Sequence, residues 1–273
     1  IFPGSVTMIC FPFSGPNGLG ELISEAVEGL GARPLKLGAG LSYGELKEAM
    51  EQERPDTFVG MPVQLLSLLR VCGKGSLKRA LVSGDACPRA VIDACERLLG
   101  TRLFPHYGSR EMALGGAICC SEHEGMHLRE NHVIAEIVDD TGNPLPPGET
   151  GELVITTIGM EAMPLIRYRT GDETRILPGP CPCGSEVLRL DTVRRKETEE
   201  ILALDEQLFA QPWVADYCAE RREGRLKLRV LTCGEGPLPE LDADWELRPA
   251  RPEDRALTRG KRKIEILKPD SPV

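Results

Sequence analysis

Strand-like apolar runs alternate with helical patterns over the first hundred residues, and this alternation constrains the fold more than any other feature of the chain. The pattern predicts strands at residues 6–11, 57–60, 79–83 and 102–104, and helices at 20–30, 44–53, 62–69 and 88–99. Pro62 stands in the first turn of a predicted helix, where its missing N–H is not needed, and Gly31 follows another helix as a stop. Strands separated by helices pair in parallel, so we predict an α/β layer with a largely parallel sheet.

The pattern becomes β-rich after about residue 130. Strands are predicted at 133–138, 151–157, 173–177 and 186–190, and the turn residues 139–143 separate the first two. Residues 194–200 are highly charged and are predicted to form a linker. The remainder predicts a small α+β region, with a helix near 205–219 and strands at 225–232 and 263–267.

Composition limits the classes of partner. The 273 residues are 41% hydrophobic and 27% charged, which allows a substantial core and two domains. A net charge of −9 argues against broad binding to nucleic acid or anionic membranes, although residues 259–263 (Arg-Gly-Lys-Arg-Lys) form a local basic patch suited to a phosphate-bearing ligand. Without a long apolar run or a signal-peptide pattern, we expect a cytoplasmic protein with no membrane partner.

Three short segments carry most of the chemical signal. They are Leu103–Glu111 (Leu-Phe-Pro-His-Tyr-Gly-Ser-Arg-Glu), Pro164–Asp172 (Pro-Leu-Ile-Arg-Tyr-Arg-Thr-Gly-Asp) and Thr258–Lys263 (Thr-Arg-Gly-Lys-Arg-Lys). Each alone is typical of ordinary turns, so their order and spacing are the evidence. In that order the chain resembles the adenylate-forming superfamily, and most of all its phenylacetate–CoA ligase branch.

This resemblance implies the fold and domain organisation of that superfamily. Residues 1–192 would be part of a large N-terminal AMP-binding domain, with its β-rich subdomain at about 128–192. Residues 193–273 would form a small mobile C-terminal domain, hinged near Val193–Lys196. The chain opens at Ile1 without an initiator Met, and the family's Ser/Thr/Gly-rich phosphate loop has no counterpart in it. We therefore expect a longer protein and an inactive fragment.

The resemblance also implies a nucleotide site. Gly84, Asp85 and Ala86 match the family's segment beside the adenine, and Tyr107 with Gly108 matches the aromatic and glycine that pack on the adenine face. A flat ring suits a purine, and glycine allows close backbone approach. Ser109 and Arg110 complete this motif. Asp172 matches the acid that holds the ribose hydroxyls, since a carboxylate can accept hydrogen bonds from a diol.

Two further residues receive catalytic roles from the resemblance. Glu111 matches the carboxylate associated with Mg²⁺, a cation that prefers oxygen ligands. Lys261 matches a lysine that stabilises charge developing at the α-phosphate. The implied reaction joins a small-molecule carboxylic acid to AMP from ATP and then transfers the acyl group to CoA. A homodimer is retained as a candidate assembly.

The chain departs from the family pattern at three places. Arg110 stands where the family has Thr or Ser, and it is expected to supply charge instead of a hydroxyl. The family's Gly-Arg hinge motif is replaced by Asp191-Thr192, which leaves no clear ribose-contacting arginine. Arg262 and Lys263 are rivals to Lys261.

Two cysteine-containing segments predict a structural zinc site. Cys119 to His127 contains two thiols and two imidazoles, and Cys181-Pro-Cys-Gly184 adds two thiols. Zinc prefers four sulfur or nitrogen ligands in a tetrahedron. The preferred ligands are Cys120, His127, Cys181 and Cys183. His123 is a rival to His127, and Cys119 is a rival to Cys120.

Three functions remain in competition. The first is a CoA ligase that acts through an acyl-adenylate. The second is an adenylation domain that serves a carrier-protein thiol. The third is a zinc-stabilised relative without catalysis, for which the altered Arg110 and Asp191-Thr192 positions speak. Whether His106 lines an acyl pocket or only packs beside Tyr107 is also open.

Overall fold

A computed structural model describes residues 1–15, 17–113, 115–258 and 260–267. The chain divides into two compact units. The first unit comprises Ile1–Leu103 and the described residues from Glu200 onward, and the second comprises Phe104–Glu199. These units differ from the predicted domains, because the C-terminal segment packs with the first 103 residues. The predicted domain boundary near residue 193 describes a C-terminal domain that moves about a hinge. This domain division stays a prediction.

The first unit begins with the predicted alternation of strands and helices. Its elements are β1 Val6–Ile9, α1 Leu19–Gly29, β2 Arg33–Lys36, α2 Tyr43–Glu53, β3 Thr57–Gly60, α3 Pro62–Cys72, β4 Arg79–Val82 and α4 Arg89–Leu99. The strands pair in parallel in the order β2-β1-β3-β4. The predicted parallel α/β layer is therefore confirmed.

Local chemistry explains the helix boundaries and the one strand that the sequence pattern missed. Ser42 and Glu45 form a reciprocal capping box at the start of α2, and α4 ends at Gly100 in a left-handed conformation. Strand β2 is an edge strand in which Arg33 and Lys36 flank Pro34 and Leu35. It has no continuous apolar run, and proline is tolerated at an edge because no partner needs its N–H.

The second unit consists largely of antiparallel strands. Its elements are β5 Leu103–Tyr107, a 3₁₀ turn Arg110–Met112, β6 Ala117–Cys119, β7 Met126–Leu128, β8 Val133–Val138, β9 Gly151–Thr157, β10 Tyr168–Thr174, β11 Arg189–Leu190 and β12 Arg194–Arg195, followed by a 3₁₀ turn Lys196–Thr198. The strand orders are β5-β6-β7-β11 and β12-β10-β9-β8. The shared core of these strands includes Val133, Leu153, Ile155 and Leu190.

Strands β8 and β9 have the predicted bounds, whereas β10 begins before the predicted strand at 173–177. The start of β10 is charged, and Arg169 forms an ion pair with Glu152 on the adjacent strand β9. A charged, cross-strand-paired segment has no apolar pattern to reveal it. The predicted linker at 194–200 in fact contains β12 and a helical turn. These elements are also charged, so no apolar pattern revealed them.

The C-terminal segment forms helix α5 Glu199–Phe209 and strands β13 Val214–Arg222, β14 Arg225–Thr232, β15 Ala243–Pro249 and β16 Ile264–Leu267. The sheet order is β15-β14-β13-β16. The predicted helix at 205–219 is wrong beyond Phe209. Pro212 lies between the helix and β13, and β13 is a central strand whose residues Val214–Tyr217 are all buried, so they lack helical or alternating polarity.

One hydrophobic core joins the C-terminal segment to the parallel layer of the first unit. Leu65 and Leu68 of α3 pack in it with Tyr217, Leu228 and Val230, all of them 1% exposed or less. Arg70 also donates hydrogen bonds to the carbonyl oxygens of Phe209 and Val214. These contacts make the two segments one packed structure. In the described part of the chain, every helix is too short or too polar to cross a lipid bilayer.

Candidate functional site

Two of the predicted motifs meet in the second unit. Tyr107 ends β5, and its hydroxyl donates to Oδ2 of Asp172 at 2.8 Å. Asp172 lies within β10, 7% exposed, and its register partner on β12 is Arg195. The guanidinium Nε of Arg195 donates to Oδ1 of Asp172 at 3.0 Å. The tertiary structure therefore gives this carboxylate two donors, each on a different strand.

The surroundings of the Tyr107 hydroxyl keep it protonated. Burial, together with the negative charge of Asp172, raises the pKa of the Tyr107 hydroxyl far above its ordinary value. Tyr107 is therefore a neutral donor at every physiological pH. A carboxylate has about four lone-pair directions, so Asp172 retains capacity to accept from a ligand after both donors are satisfied.

Arg195 is a site residue that sequence reasoning missed. The missing arginine was sought at Asp191-Thr192, but Asp191 instead binds Nε of Arg175 at 2.8 Å. Arg195 lay inside the predicted linker. The available signal was the pair of adjacent arginines, Arg194 and Arg195, that begins the charged run. In the structure these two arginines pair with Glu173 and Asp172 of β10.

The 3₁₀ turn after Tyr107-Gly108-Ser109 positions Glu111. Hydrogen bonds from its own backbone amide and from the Ser109 hydroxyl lower the pKa of the Glu111 carboxyl, so the group is ionised at neutral pH. Glu111 is half-buried, whereas Arg110 is exposed. An accessible ionised carboxylate is the type of ligand that Mg²⁺ accepts together with phosphate oxygens.

Gly84, Asp85 and Ala86 lie in the first unit, in the loop after β4. Gly84 has a φ of +87°, and a Cβ there would lie 3.1 Å from the Phe11 ring, so the turn favours glycine. The Asp85 carboxylate accepts hydrogen bonds from the backbone N–H of Ala86 at 2.9 Å and of Arg262 at 2.8 Å. The structure therefore directs this carboxylate toward backbone donors.

The three basic rivals of the third motif have different environments. Lys261 and Lys263 are exposed, while Arg262 is 5% exposed and ion-paired with Asp205. Arg262 is therefore committed to the interior and is not a free cation on the surface. Arg259, the first residue of the predicted basic patch, lies outside the described residues.

The four preferred metal ligands converge in the second unit. The candidate ligand atoms of Cys120, His127, Cys181 and Cys183 all lie within 4.8 Å of one another. The sulfur atoms of Cys120 and Cys181 are 3.6 Å apart, and Sγ of Cys183 is 3.5 Å from Nε2 of His127. Tetrahedral zinc, with Zn–S of about 2.3 Å and Zn–N of about 2.0 Å, separates such ligands by roughly 3.5–3.8 Å. These two separations therefore fit a shared zinc ion.

The rival ligands form a different pair. Sγ of Cys119 lies 3.5 Å from Nδ1 of His123, and the His123 ring packs against Phe104 with 5.0 Å between ring centroids. Among the described residues, neither side chain belongs to the four-residue group. Cys119 is the last residue of β6, whereas Cys120 follows the strand.

Arg189 is a second residue that sequence reasoning missed. Its side chain is buried and donates to the carbonyl oxygens of Glu124 at 2.8 Å and Gly179 at 3.0 Å. Glu124 lies between the candidate ligands Cys120 and His127, and Gly179 lies two residues before Cys181. The hydrogen bonds of Arg189 therefore hold both segments together without a metal. Arg189 lies in β11, eight residues after Cys181, and this proximity was the sequence signal for it.

Comparisons with known proteins identify the family of the chain. The family model described as AMP-binding enzyme matches residues 6–162, which is more than half of the chain. A phenylacetate–coenzyme A ligase of Thermus thermophilus is 36% identical over 132 residues, covering 47% of this chain and 29% of that protein. The corresponding ligase of Aromatoleum evansii is 29% identical over 192 residues, covering 67% of this chain and 43% of that protein. The matched region thus spans less than half of each relative.

Solved structures support the fold. A 2-hydroxyisobutyryl-CoA ligase, solved in its postadenylation state with an acyl-AMP, superposes with a TM-score of 0.78 at 20% identity, covering 99% of this chain and 66% of that one. A benzoate CoA ligase from Burkholderia xenovorans superposes with a TM-score of 0.60 at 16% identity, covering 96% and 61%. The chain is thus similar in fold to part of each of these larger proteins.

Proposed function

Because the chain belongs to the AMP-binding enzyme family, we propose that the full protein is an AMP-forming acyl- or aryl-CoA ligase. A carboxylate oxygen of the acid attacks the α-phosphorus of ATP, and the bond to pyrophosphate breaks. The thiol sulfur of CoA then attacks the acyl carbon, loses its proton to solvent, and displaces AMP. Phenylacetate is one candidate acid, because the similar ligases carry that name.

The observation that carries the proposal is the cluster of Tyr107, Asp172 and Arg195. The hydroxyl of Tyr107 and Nε of Arg195 bind opposite oxygens of the Asp172 carboxylate at 2.8 and 3.0 Å. A carboxylate fixed in this way is oriented to accept both hydrogen bonds of a ribose diol, while the Tyr107 ring offers a face for adenine. Fixing the groups before the ligand arrives lowers the entropic cost of binding.

Other residues are assigned to the reaction by the same proposal. Glu111 would hold Mg²⁺, which supplies charge neutralisation at the phosphates when bound. Lys261 would stabilise negative charge at the α-phosphate, and Arg110 would add a second cation near it. Gly84 to Ala86 would border the adenine. A homodimer and a cytoplasmic location also remain part of the proposal.

The proposed activity is tested with the full-length protein. Exchange of pyrophosphate into ATP should depend on an added acid, tested with a panel of aryl and fatty acids, and AMP release should depend on CoA. Exchange without CoA-dependent AMP release would favour transfer to a carrier-protein thiol. No exchange with any acid would contradict the ligase proposal and favour a relative without catalysis.

We further propose that the group of Cys120, His127, Cys181 and Cys183 holds a structural zinc ion. Three thiolates and one imidazole match the ligand preference of zinc, and a closed set of four protein ligands leaves no position for catalysis. Purified protein should contain about one zinc per chain. Cys183→Ser should lower that zinc content strongly. Cys119→Ser is the control, because Cys119 is adjacent to Cys120 in the sequence but lies outside the assigned ligand set, and this variant should retain the zinc. His123→Ala against His127→Ala separates the two histidines, and zinc loss only in His123→Ala would contradict the assigned set.

A further inference from the structure

The short segment that carries Lys261 has one side chain that points inward. Lys261 and Lys263 are exposed, whereas the intervening Arg262 is buried at 5% exposure. Its guanidinium lies over the Tyr217 ring at 4.3 Å and near the Phe209 ring at 5.2 Å. The backbone of this segment is therefore anchored by the residue directly after Lys261.

Charged and polar groups surround the anchored guanidinium. Nε of Arg262 donates to Oδ1 of Asp205 at 3.0 Å, Nη2 lies 2.9 Å from the same oxygen as an ion-pair contact, and Nη1 donates to the Tyr217 carbonyl at 3.2 Å. Asp205 is itself 1% exposed and accepts from the Tyr217 hydroxyl at 2.5 Å. A buried ion pair with this many partners permits little variation in geometry.

A second contact holds the main chain at the same residue. The backbone N–H of Arg262 donates to Oδ2 of Asp85 at 2.8 Å, and Oδ1 of Asp85 accepts from Ala86. Asp85 lies in the loop that follows β4, at the carboxyl end of a parallel strand. The amide next to Lys261 is therefore tied to the loop predicted to border the adenine.

We propose that Asp85 and Arg262 are positioning residues that hold the backbone of Lys261 for the adenylation step. Arg262 holds the segment from its side chain, Asp85 holds it from its main chain, and the Lys261 amine is left with only its own rotamers to search. Because small errors in placement of a catalytic group lower rates steeply, loss of either contact should act mainly on the turnover rate. This inference rests on the proposed function of Lys261.

The test compares two half-reactions of the full-length protein. Adenylation is followed by pyrophosphate exchange, and thioester formation is followed from synthetic acyl-AMP and CoA. Asp85→Ala should lower kcat for exchange by about tenfold or more beyond any loss in thioester formation, with little change in KM for ATP. Asp85→Asn keeps an oxygen that can accept from Arg262, and it should recover much of that loss. Asp93→Asn and Arg251→Gln, both at exposed positions, should match the wild type.

Arg262→Gln is expected to show the same selective loss, and Asp85→Ala keeps the proposal testable if that variant does not fold. A rise in KM for ATP with unchanged kcat in Asp85→Ala would assign Asp85 to nucleotide binding and overturn the proposal. An equal loss in both half-reactions would indicate general damage and also overturn it. Lys261→Ala separates the proposed function of Lys261 from the positioning proposal. If this variant retains pyrophosphate exchange, the role of Lys261 itself is refuted. If it loses exchange while Asp85→Ala is unaffected, only the positioning role is refuted.

Discussion

Hydrogen bonds between groups far apart in the sequence define the individual residues of the site. Asp172 is bound by Tyr107, 65 residues earlier, and by Arg195, 23 residues later. A hydrogen bond to a charged group contributes about 1.5–3 kcal/mol, more than one between neutral groups, because the charge strengthens it. At this scale, single-atom changes therefore test the assignment.

Tyr107→Phe removes only the hydroxyl that donates to Asp172. Under the proposed function, loss of this bond should raise KM for ATP by about tenfold, because the freed carboxylate can rotate away from the ribose diol. Steady-state pyrophosphate exchange by the full-length protein measures the effect. Tyr168→Phe is the control, since Tyr168 lies on β10 of the same unit and is 38% exposed. Equal behaviour of both variants would argue against the role of Tyr107.

His106 should be neutral at pH 7. Burial, with a smaller contribution from the nearby Arg129 cation, lowers its pKa below the ordinary value of 6.5. The unfolded chain then binds more protons than the folded chain between the two pKa values. The contribution of neutral His106 to the free energy of unfolding is therefore fully present above pH 6.5 and is lost as the pH falls through the lowered pKa. A histidine titration by NMR measures the shift, and a pKa at or above 6.5 would contradict the expectation.

Caps and loop clips determine the stability of the elements that carry these residues. The Ser42 hydroxyl accepts from the Glu45 backbone N–H, and the Glu45 carboxylate accepts from the Ser42 backbone N–H at 2.7 Å. In the second unit, Arg189 clips the two segments that carry the metal ligands. The first contact stabilises the start of a helix, whereas the second holds two loops of the second unit together.

Ser42→Ala should lower the free energy of unfolding by about 1 kcal/mol, because the backbone N–H of Glu45 at the start of α2 loses its side-chain acceptor and the Glu45 carboxylate loses the Ser42 hydroxyl. Urea unfolding followed by circular dichroism measures the change. Ser14→Ala, at an exposed loop position of the same unit, should have little effect. A loss of similar size in both variants would show that the cap is not the cause.

Removal of the proposed zinc should loosen the second unit and leave the first unit stable. Strands β6, β7 and β11 contribute or flank the ligands, and a metal that binds only the folded state stabilises that state. Hydrogen exchange after treatment with a chelator should therefore be faster at residues 117–128 and 181–190. Exchange in β1, β3 and β4 is the internal control. Unchanged protection at residues 117–128 would contradict a structural metal.

At the scale of the molecule, the first unit is held together by a core to which both ends of the chain contribute. Leu65 and Leu68 from α3 share it with Leu228 and Val230 from β14. Glu206 of α5 also caps α4, accepting from the backbone N–H groups of Arg89 and Ala90 at 2.6 and 2.8 Å. These contacts predict cooperative unfolding of segments that are far apart in sequence.

Leu228→Ala should destabilise the first unit by about 2–5 kcal/mol, since the side chain is fully buried and its removal leaves a cavity. Because the core is shared, backbone amides of α3 and of β13 and β14 should lose hydrogen-exchange protection together. Leu238→Ala, at a position that is 44% exposed, is the control. Loss of protection confined to the C-terminal segment would instead support an independent domain that begins near residue 193.

Local patterns were sufficient for part of this protein. The alternation of apolar strands and helices predicted the parallel layer, including β3 and the start of α3 at Pro62. Apolar runs also predicted the bounds of β8, β9 and β14 in the other sheets. Ligand chemistry gave Cys120, His127, Cys181 and Cys183 as the preferred metal ligands, and these four converge in the structure, but it left Cys119 and His123 as rivals. These features depend on near neighbours in the chain or on the residue types that a metal accepts. Both kinds of information are present in the amino-acid sequence.

Only the tertiary structure decided the environment of each charge. Adjacent basic residues look alike in sequence, yet Lys261 is exposed while Arg262 is buried, because Asp205 and Asp85 reach Arg262 from distant elements. Arg195 was likewise placed in a linker until β12 paired with β10 and brought it to Asp172. The cost of burying an ion depends on partners that only folding brings within hydrogen-bonding distance, and a local pattern carries no information about them.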